Sequence, residues 1–257
     1  MTAHLDIAYA GPTSDPVYQA LDVFTPPAAR DLPVMFFIHG GAFHMSDKSD
    51  AQYYPETGPR FAREGWVSVL PNYRLSPSVT YPDHVRDIAA ALSWTLENIE
   101  KYGGDPGNVF VSGHSAGGFL AAAVVLDDAL LIDTGSNAET IRGVIPICGQ
   151  FEVVDEGREE TFGIDSAMWP GFSPLNHIRE GAPAFLILEA VRDDWWAPGQ
   201  AEVFHERLSR SGVMSEFHEL DHDHFTIITR LGQPDDPTME LINAFARQFG
   251  GGQNRLH

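Results

Sequence analysis

The chain has 257 residues, 43% of them hydrophobic, enough for one large core and consistent with one domain over residues 1–257. A formal net charge of −20 argues against nucleic acid and anionic membrane surfaces as partners, since both select basic patches. Cys148 is the only cysteine, so no intrachain disulfide can form. Met1-Thr2-Ala3-His4-Leu5-Asp6 lacks the basic start and apolar core of a signal peptide, and no apolar run approaches the roughly 18 residues of a membrane span, so a cytoplasmic location is expected.

Leu5 to Tyr9 and Tyr18 to Phe24 alternate apolar and polar residues around Gly11-Pro12-Thr13-Ser14-Asp15-Pro16, which predicts a hairpin of antiparallel edge strands. Val34-Met35-Phe36-Phe37-Ile38 is an unbroken apolar run of the kind a strand covered on both faces needs. It runs into His39-Gly40-Gly41-Ala42-Phe43, where two glycines free the backbone to turn its amides outward, as an oxyanion would require. Tyr53 to Glu64 reads as a helix and Trp66 to Pro71 as a strand. Val85, Ile88, Ala89, Leu92, Leu96 and Ile99 form one apolar stripe on a helix from Asp83 to about Lys101, which Gly103-Gly104-Asp105-Pro106 stops.

Next come the apolar run Val109-Phe110-Val111, the pentapeptide Gly113-His114-Ser115-Ala116-Gly117, and the apolar stretch Phe119 to Leu126. Strand, sharp turn and helix in this order mark a nucleophile elbow, with Ser115 raised at the sheet edge. A phosphate-binding loop would need a Gly-x-x-x-x-Gly-Lys pattern, which is absent. Gly143 to Ile147 predicts a further strand. Residues 150–172 hold no steady period and read as a lid-like insertion, with Phe151, Phe162, Trp169 and Phe172 as apolar walls. Ala184 to Leu188 is another buried strand, and the acidic pair Asp193-Asp194 with Trp195-Trp196 lies beyond it. A helix from Pro198 to Ser211 turns Val203, Phe204 and Leu208 inward. Ser215 to Leu220 is a half-exposed last strand, Asp221-His222-Asp223-His224-Phe225 follows, and Met239 to Phe249 closes the pattern as an amphipathic helix before a frayed Gly250 to His257.

Alternating strands and helices predict an α/β fold, a mostly parallel central sheet with helices on both faces and the small lid insertion, and ligands beyond the carboxyl ends of the strands. All the chemical landmarks fall there. Serine needs a base within hydrogen-bond reach and a third group to fix the base's tautomer. The chain supplies Ser115, then Asp193 or Asp194, then His222 or His224, the order of an α/β-hydrolase triad. His224 is preferred because it follows the last strand closely and precedes Phe225-Thr226-Ile227-Ile228, which reads as a helix start that anchors the loop. His39 is expected to order the glycine loop and His114 to pack beneath the elbow. His218, His222 and His224 with Asp221 and Asp223 lack a recognisable ligand spacing, so neither metal nor cofactor is expected.

His39-Gly40-Gly41, Gly113-His114-Ser115-Ala116-Gly117 and the late His224 resemble the hormone-sensitive-lipase-like group of α/β-hydrolase esterases over roughly residues 30 to 230, and Asn72-Tyr73-Arg74-Leu75-Ser76-Pro77 and Gly104-Asp105-Pro106 are similar to its linking segments. The small kynurenine formamidase-like branch is more similar still, through the short N-terminal cap, Phe43 where that branch has tryptophan, and His224-Phe225-Thr226-Ile227-Ile228. Ala190, where the family usually has glycine, and Asp194-Trp195-Trp196 depart from its pattern. Counting back from Gln200 and Phe204, which resemble the branch's following helix, favours Asp193 as the acid.

The resemblance implies acyl transfer through Ser115, His224 and Asp193, with backbone amides of Gly40, Gly41 and Ala116 as the oxyanion hole. Phe43, Trp195, Trp196 and Phe225 are the expected substrate contacts. A carboxylesterase for small to medium esters is the leading expectation, an arylformamidase cleaving N-formylkynurenine the alternative, and a ligand-binding homologue without turnover a third. The partner is thus a small ester or amide, bound by a monomer or homodimer.

Overall fold

The unbroken apolar runs form the middle of one sheet. The computed structural model describes residues 1–11, 14–54, 56–135, 140–153, 157–195 and 199–251. Strands β1 (Thr2–Ala8), β2 (Ala20–Thr25), β3 (Leu32–Ile38), β4 (Val67–Pro71), β5 (Gly104–His114), β6 (Ile141–Ile147), β7 (Ala184–Arg192) and β8 (Ser215–Asp223) stand in the order β1-β2-β4-β3-β5-β6-β7-β8. The pairs β1–β2 and β2–β4 are antiparallel, and the rest are parallel. The helices are α1 (Thr57–Arg63), α2 (Asp83–Asn98), α3 (Ala116–Leu126), α4 (Asp128–Ile132), α5 (Glu159–Phe162), α6 (Gln200–Arg210), α7 (Thr226–Thr229) and α8 (Thr238–Phe249).

The two-residue period of a strand sorts the core into two layers. Val34, Phe36 and Ile38 of β3 join one buried cluster with Val85, Ile88 and Leu92 of α2, Phe119 of α3 and Phe204 of α6. Met35 and Phe37 join the other, with Phe61 of α1 and Ile242 and Phe245 of α8. Each fully buried side chain of this size contributes roughly 1.5–3 kcal/mol. The two-faced central strands therefore anchor the sheet, and β1, exposed at nearly every position, does not.

Strands β7 and β8 run on to Arg192 and Asp223, past the expected ends at Leu188 and Leu220, and three further elements differ from the sequence expectation. The helix expected from Tyr53 begins only at Thr57, because Asp50 Oδ1 accepts from the Gln52 and Tyr53 amides and holds that stretch as turns. Strand β5 starts at Gly104, directly after Gly103, whose φ of 85° ends the helical chain. In α6, Ala201, Phe204 and Leu208 face inward, whereas Val203 is 47% exposed. The inward stripe recurs at i, i+3 and i+7, and Val203 lies about 100° around the helix from Phe204.

Residues 150–153 and 157–172 are held to the core by their rings. Phe151 stacks on Phe204 with centroids 4.0 Å apart, and Phe162 packs against Phe43, Tyr81 and Phe119. Phe151, Phe162 and Trp169 are buried anchors rather than open walls. Among the described residues no helix is long and apolar enough to cross a membrane. The expected turn residues Pro12 and Thr13, the helix start at Pro198 and the tail beyond Gly251 lie outside the described residues.

Candidate active site

The carboxyl ends of β3, β5, β7 and β8 deliver the landmark residues to one edge. Ile38 pairs in register with Gly113, which sets His39-Gly40-Gly41 beside the elbow. Arg192 pairs in register with Asp223, so the next residues, Asp193 and His224, emerge side by side.

Ser115 has φ 57° and ψ −121°, a conformation that costs a non-glycine residue about 1–3 kcal/mol and persists only when its surroundings hold it. Its amide donates to the Ile147 carbonyl at 2.9 Å, and its carbonyl accepts from Gly118 at 2.9 Å. Close packing completes the turn. A Cβ on Gly113 would lie 2.3 Å from the Gly117 carbonyl oxygen, and one on Gly117 would lie 2.1 Å from that of Ile38.

The Ser115 Oγ lies 3.0 Å from His224 Nε2, and His224 Nδ1 lies 2.6 Å from Asp193 Oδ2. A carboxylate only accepts, so Nδ1 carries the hydrogen, and Nε2 is left to accept from the serine. Asp223 anchors the histidine's loop by accepting from the Phe225 and Thr226 amides at 2.9 and 2.8 Å, the first turn of α7. Burial alone would raise the Asp193 pKa, but hydrogen bonds from His224, the Trp195 amide and the Cys148 thiol outweigh it and hold the carboxyl below its ordinary value. Asp194 is exposed. His222 Nε2 lies 2.9 Å from Asp236 Oδ2, with both side chains buried.

The glycine loop departs from expectation at one amide. Gly40 N–H donates to the Tyr54 hydroxyl at 2.9 Å, so it is already engaged and does not offer a free donor. Among the described residues, the amides of Gly41 and Ala116 donate to no protein acceptor. The loop is a run of left-handed residues, Gly41 at φ 108°, Ala42 at 51° and Phe43 at 68°, which turns consecutive amides to one side.

The expected substrate contacts separate into two sets. Phe43 is 1% exposed and packs edge-on against Phe119 and Phe162, a core residue rather than a surface contact, because its positive φ turns the ring inward. Trp195 stacks on the His224 imidazole with centroids 5.4 Å apart and remains 56% exposed. Phe225 meets Trp195 edge-on and stacks on Tyr53 at 4.7 Å. Trp196 lies outside the described residues.

His39 and His114 are both buried. His39 Nδ1 lies 2.7 Å from the Gly40 carbonyl, and the ring stacks on Tyr73. Desolvation pushes His39 down to about 4 and His114 to about 3, so both stay neutral at neutral pH. His114, Cys148 and His224 bring ligand-type atoms within 4.8 Å of one another. Yet both nitrogens of each imidazole already have protein partners, so neither ring has a lone pair to spare for a metal.

Sequence reasoning missed Tyr54, Cys148 and Glu189. Behind Asp193 lies a cavity of about 380 Å³ lined by Gly149, Glu189, Asp194, Gln200, Phe217 and Glu219. Burial first, then Asp193 and Glu219, pushes Glu189 up to about 8. An acidic residue directly after the run Ala184 to Leu188 is the available signal, but its charge state depends on burial and on Asp193 and Glu219, which local pattern does not bring together.

The BD-FAE family model matches residues 21–208 of the chain. Esterase LipQ of Mycobacterium tuberculosis is 29% identical over 243 residues, covering 84% of this chain and 57% of that protein. Esterase LipC of the same organism is 30% identical over 219 residues, covering 77% and 53%. The chain thus spans little more than half the length of these relatives. A solved structure, a truncated form of carbohydrate esterase from gut microbiota, superposes with a TM-score of 0.82 at 18% identity, covering 96% of each chain. The fold is that of the α/β-hydrolases, as the alternating strands and helices predict.

Proposed function

Since the chain belongs to the BD-FAE family, we propose that it is a serine carboxylesterase acting on small to medium carboxylic esters through an acyl-enzyme on Ser115. The observation that carries this reading is the continuous chain from Ser115 Oγ to His224 at 3.0 Å and on to Asp193 at 2.6 Å. His224 takes the serine proton, the alkoxide attacks the ester carbonyl, and the imidazolium protonates the leaving alcohol. A water, deprotonated by the same imidazole, then releases the acid. Asp193 holds the imidazole in the required tautomer and stabilises its charged form. The amides of Gly41 and Ala116 stabilise the oxyanion, and Trp195 and Phe225 flank the substrate.

Ser115→Ala is expected to fold, to abolish labelling by a fluorophosphonate and to remove turnover of p-nitrophenyl acetate. Full labelling of the variant would transfer the nucleophile to another residue and overturn the reading. A second reading, arylformamidase activity, is favoured by the His224-Phe225-Thr226-Ile227-Ile228 sequence. The same apparatus would then attack the formyl amide carbonyl of N-formylkynurenine. Parallel assays separate the two, and a rate ratio strongly favouring the amide would reverse their order.

A further inference from the structure

Ser115, His224 and Asp193 leave two buried polar side chains beside them with no role assigned. The Tyr54 hydroxyl lies 2.7 Å from His114 Nδ1 and 2.9 Å from the Gly40 amide nitrogen. His114 Nε2 lies 2.6 Å from the backbone carbonyl oxygen of His224. Both rings are buried, Tyr54 at 4% and His114 at 1% exposure.

The chemistry of the partners allows this chain only one direction. The His224 carbonyl can only accept, so His114 Nε2 must carry hydrogen. In a neutral imidazole Nδ1 then accepts, and the tyrosine O–H donates to it. The tyrosine oxygen's lone pair is left for the Gly40 N–H, which can only donate. Each donor and acceptor is used once, across four segments far apart in sequence. The depressed His114 pKa agrees with a neutral ring.

We propose that Tyr54 and His114 are positioning residues, which lock the Gly40-Gly41 loop to the loop carrying His224 and thereby hold oxyanion donors and general base in one fixed relation to Ser115. The inference rests on the proposed esterase reading. His114 precedes Ser115 directly, so its ring ties the serine's own backbone to that of the base. Gly40 is the residue that permits the link. A Cβ there would lie 2.7 Å from the Tyr54 hydroxyl, 2.7 Å from the His114 carbonyl oxygen and 3.0 Å from the Ser115 Cβ. With the Gly40 amide turned inward onto Tyr54, the next amide, that of Gly41, is left without a protein acceptor among the described residues. A misplacement near 1 Å at such a site costs on the order of a hundredfold in rate.

Tyr54→Phe removes only the hydroxyl and keeps the ring packed against Phe37. Its kcat for p-nitrophenyl acetate is expected to fall by about tenfold to a hundredfold with KM within about twofold of the unaltered protein. Ser68→Ala is the structural control, because it deletes a buried bond from Ser68 Oγ to the Gly58 carbonyl on β4 and α1. It is expected to lower the melting temperature comparably while kcat stays within about twofold. The inference is overturned if Tyr54→Phe leaves kcat within twofold, if its loss falls on KM instead, or if Ser68→Ala loses as much kcat. In any of these cases an active unaltered protein leaves the esterase reading standing. An unaltered protein with neither turnover nor fluorophosphonate labelling would overturn that reading and this inference together.

Discussion

The two ends of the Ser115–His224–Asp193 chain sit in opposite surroundings. At the serine end, β3, β5 and α3 approach so closely that no carbon can be added at Gly113 or Gly117 without meeting backbone within 2.3 Å. At the acid end, β7, β8 and α6 enclose a cavity of about 380 Å³ with carboxylates on its wall, and Trp195 is 56% exposed. Position at the first end is imposed by backbone contact and cannot drift without loss of fold. At the second it is imposed by hydrogen bonds to one carboxylate, so it responds to charge and protonation. One end therefore fails by unfolding, the other by electrostatics.

The strongest test of that contrast is a substitution that changes charge alone. Asp193→Asn is expected to keep the fold and favour the wrong histidine tautomer, lowering kcat by as much as about 10⁴. Asp194→Asn, one residue on and exposed, is expected to cost about tenfold or less. Steady-state kinetics of both variants decide it. A large loss at Asp194 with Asp193→Asn near the unaltered rate would detach the acid from the 2.6 Å contact with His224.

At the serine end the matching test adds one methyl. Gly117→Ala would set its Cβ 2.1 Å from the Ile38 carbonyl oxygen and 2.6 Å from that of His39, both rigid backbone atoms. Overpacking of this kind costs about 1–3 kcal/mol or more, a drop of roughly 2–12 °C in melting temperature for a chain of this size. Thermal unfolding measures it. An unchanged melting temperature would show that the elbow has slack and that the two ends do not differ as described.

The same contrast explains what could be read from the sequence. The α/β layering was legible because apolar runs, helical stripes and glycine punctuation agree along the chain, and the elbow because its glycines have a local steric purpose. Asp193 and Asp194 are adjacent and chemically equal, so local pattern left both open; their difference arises from the β7–β8 register, which pairs Arg192 with Asp223. Gly40 was expected to present its amide outward, yet the partner that turns it inward, Tyr54, comes from a stretch read only as helix. Phe43 reads as a substrate contact because sequence does not reveal its φ of 68°. Val203 is apolar but lies one helical step off the buried stripe, a distinction that apolarity alone does not carry.

The smallest expected effect tests the acid end through stability. Glu189 has an ordinary pKa of 4.5 and is pushed up to about 8 by burial, then by Asp193 and Glu219. Between those values the folded chain holds a proton that the unfolded chain has lost. At this group the unfolded state thus binds fewer protons, and the contribution of Glu189 to folding stability falls as pH rises from about 4.5 to about 8. Glutamine matches the protonated side chain in shape and never ionises. Glu189→Gln should therefore melt close to the unaltered protein near pH 5 and several degrees above it near pH 8.5, for about one to two kcal/mol of relief. His39, His84 and His114, each held below 6.5 by burial, act in the opposite sense, removing stability as pH falls below 6.5. They are common to both proteins and leave the difference untouched. A gap of equal size at both pH values would mean that Glu189 is ionised throughout, and that the cavity behind Asp193 is solvated enough to carry the charge.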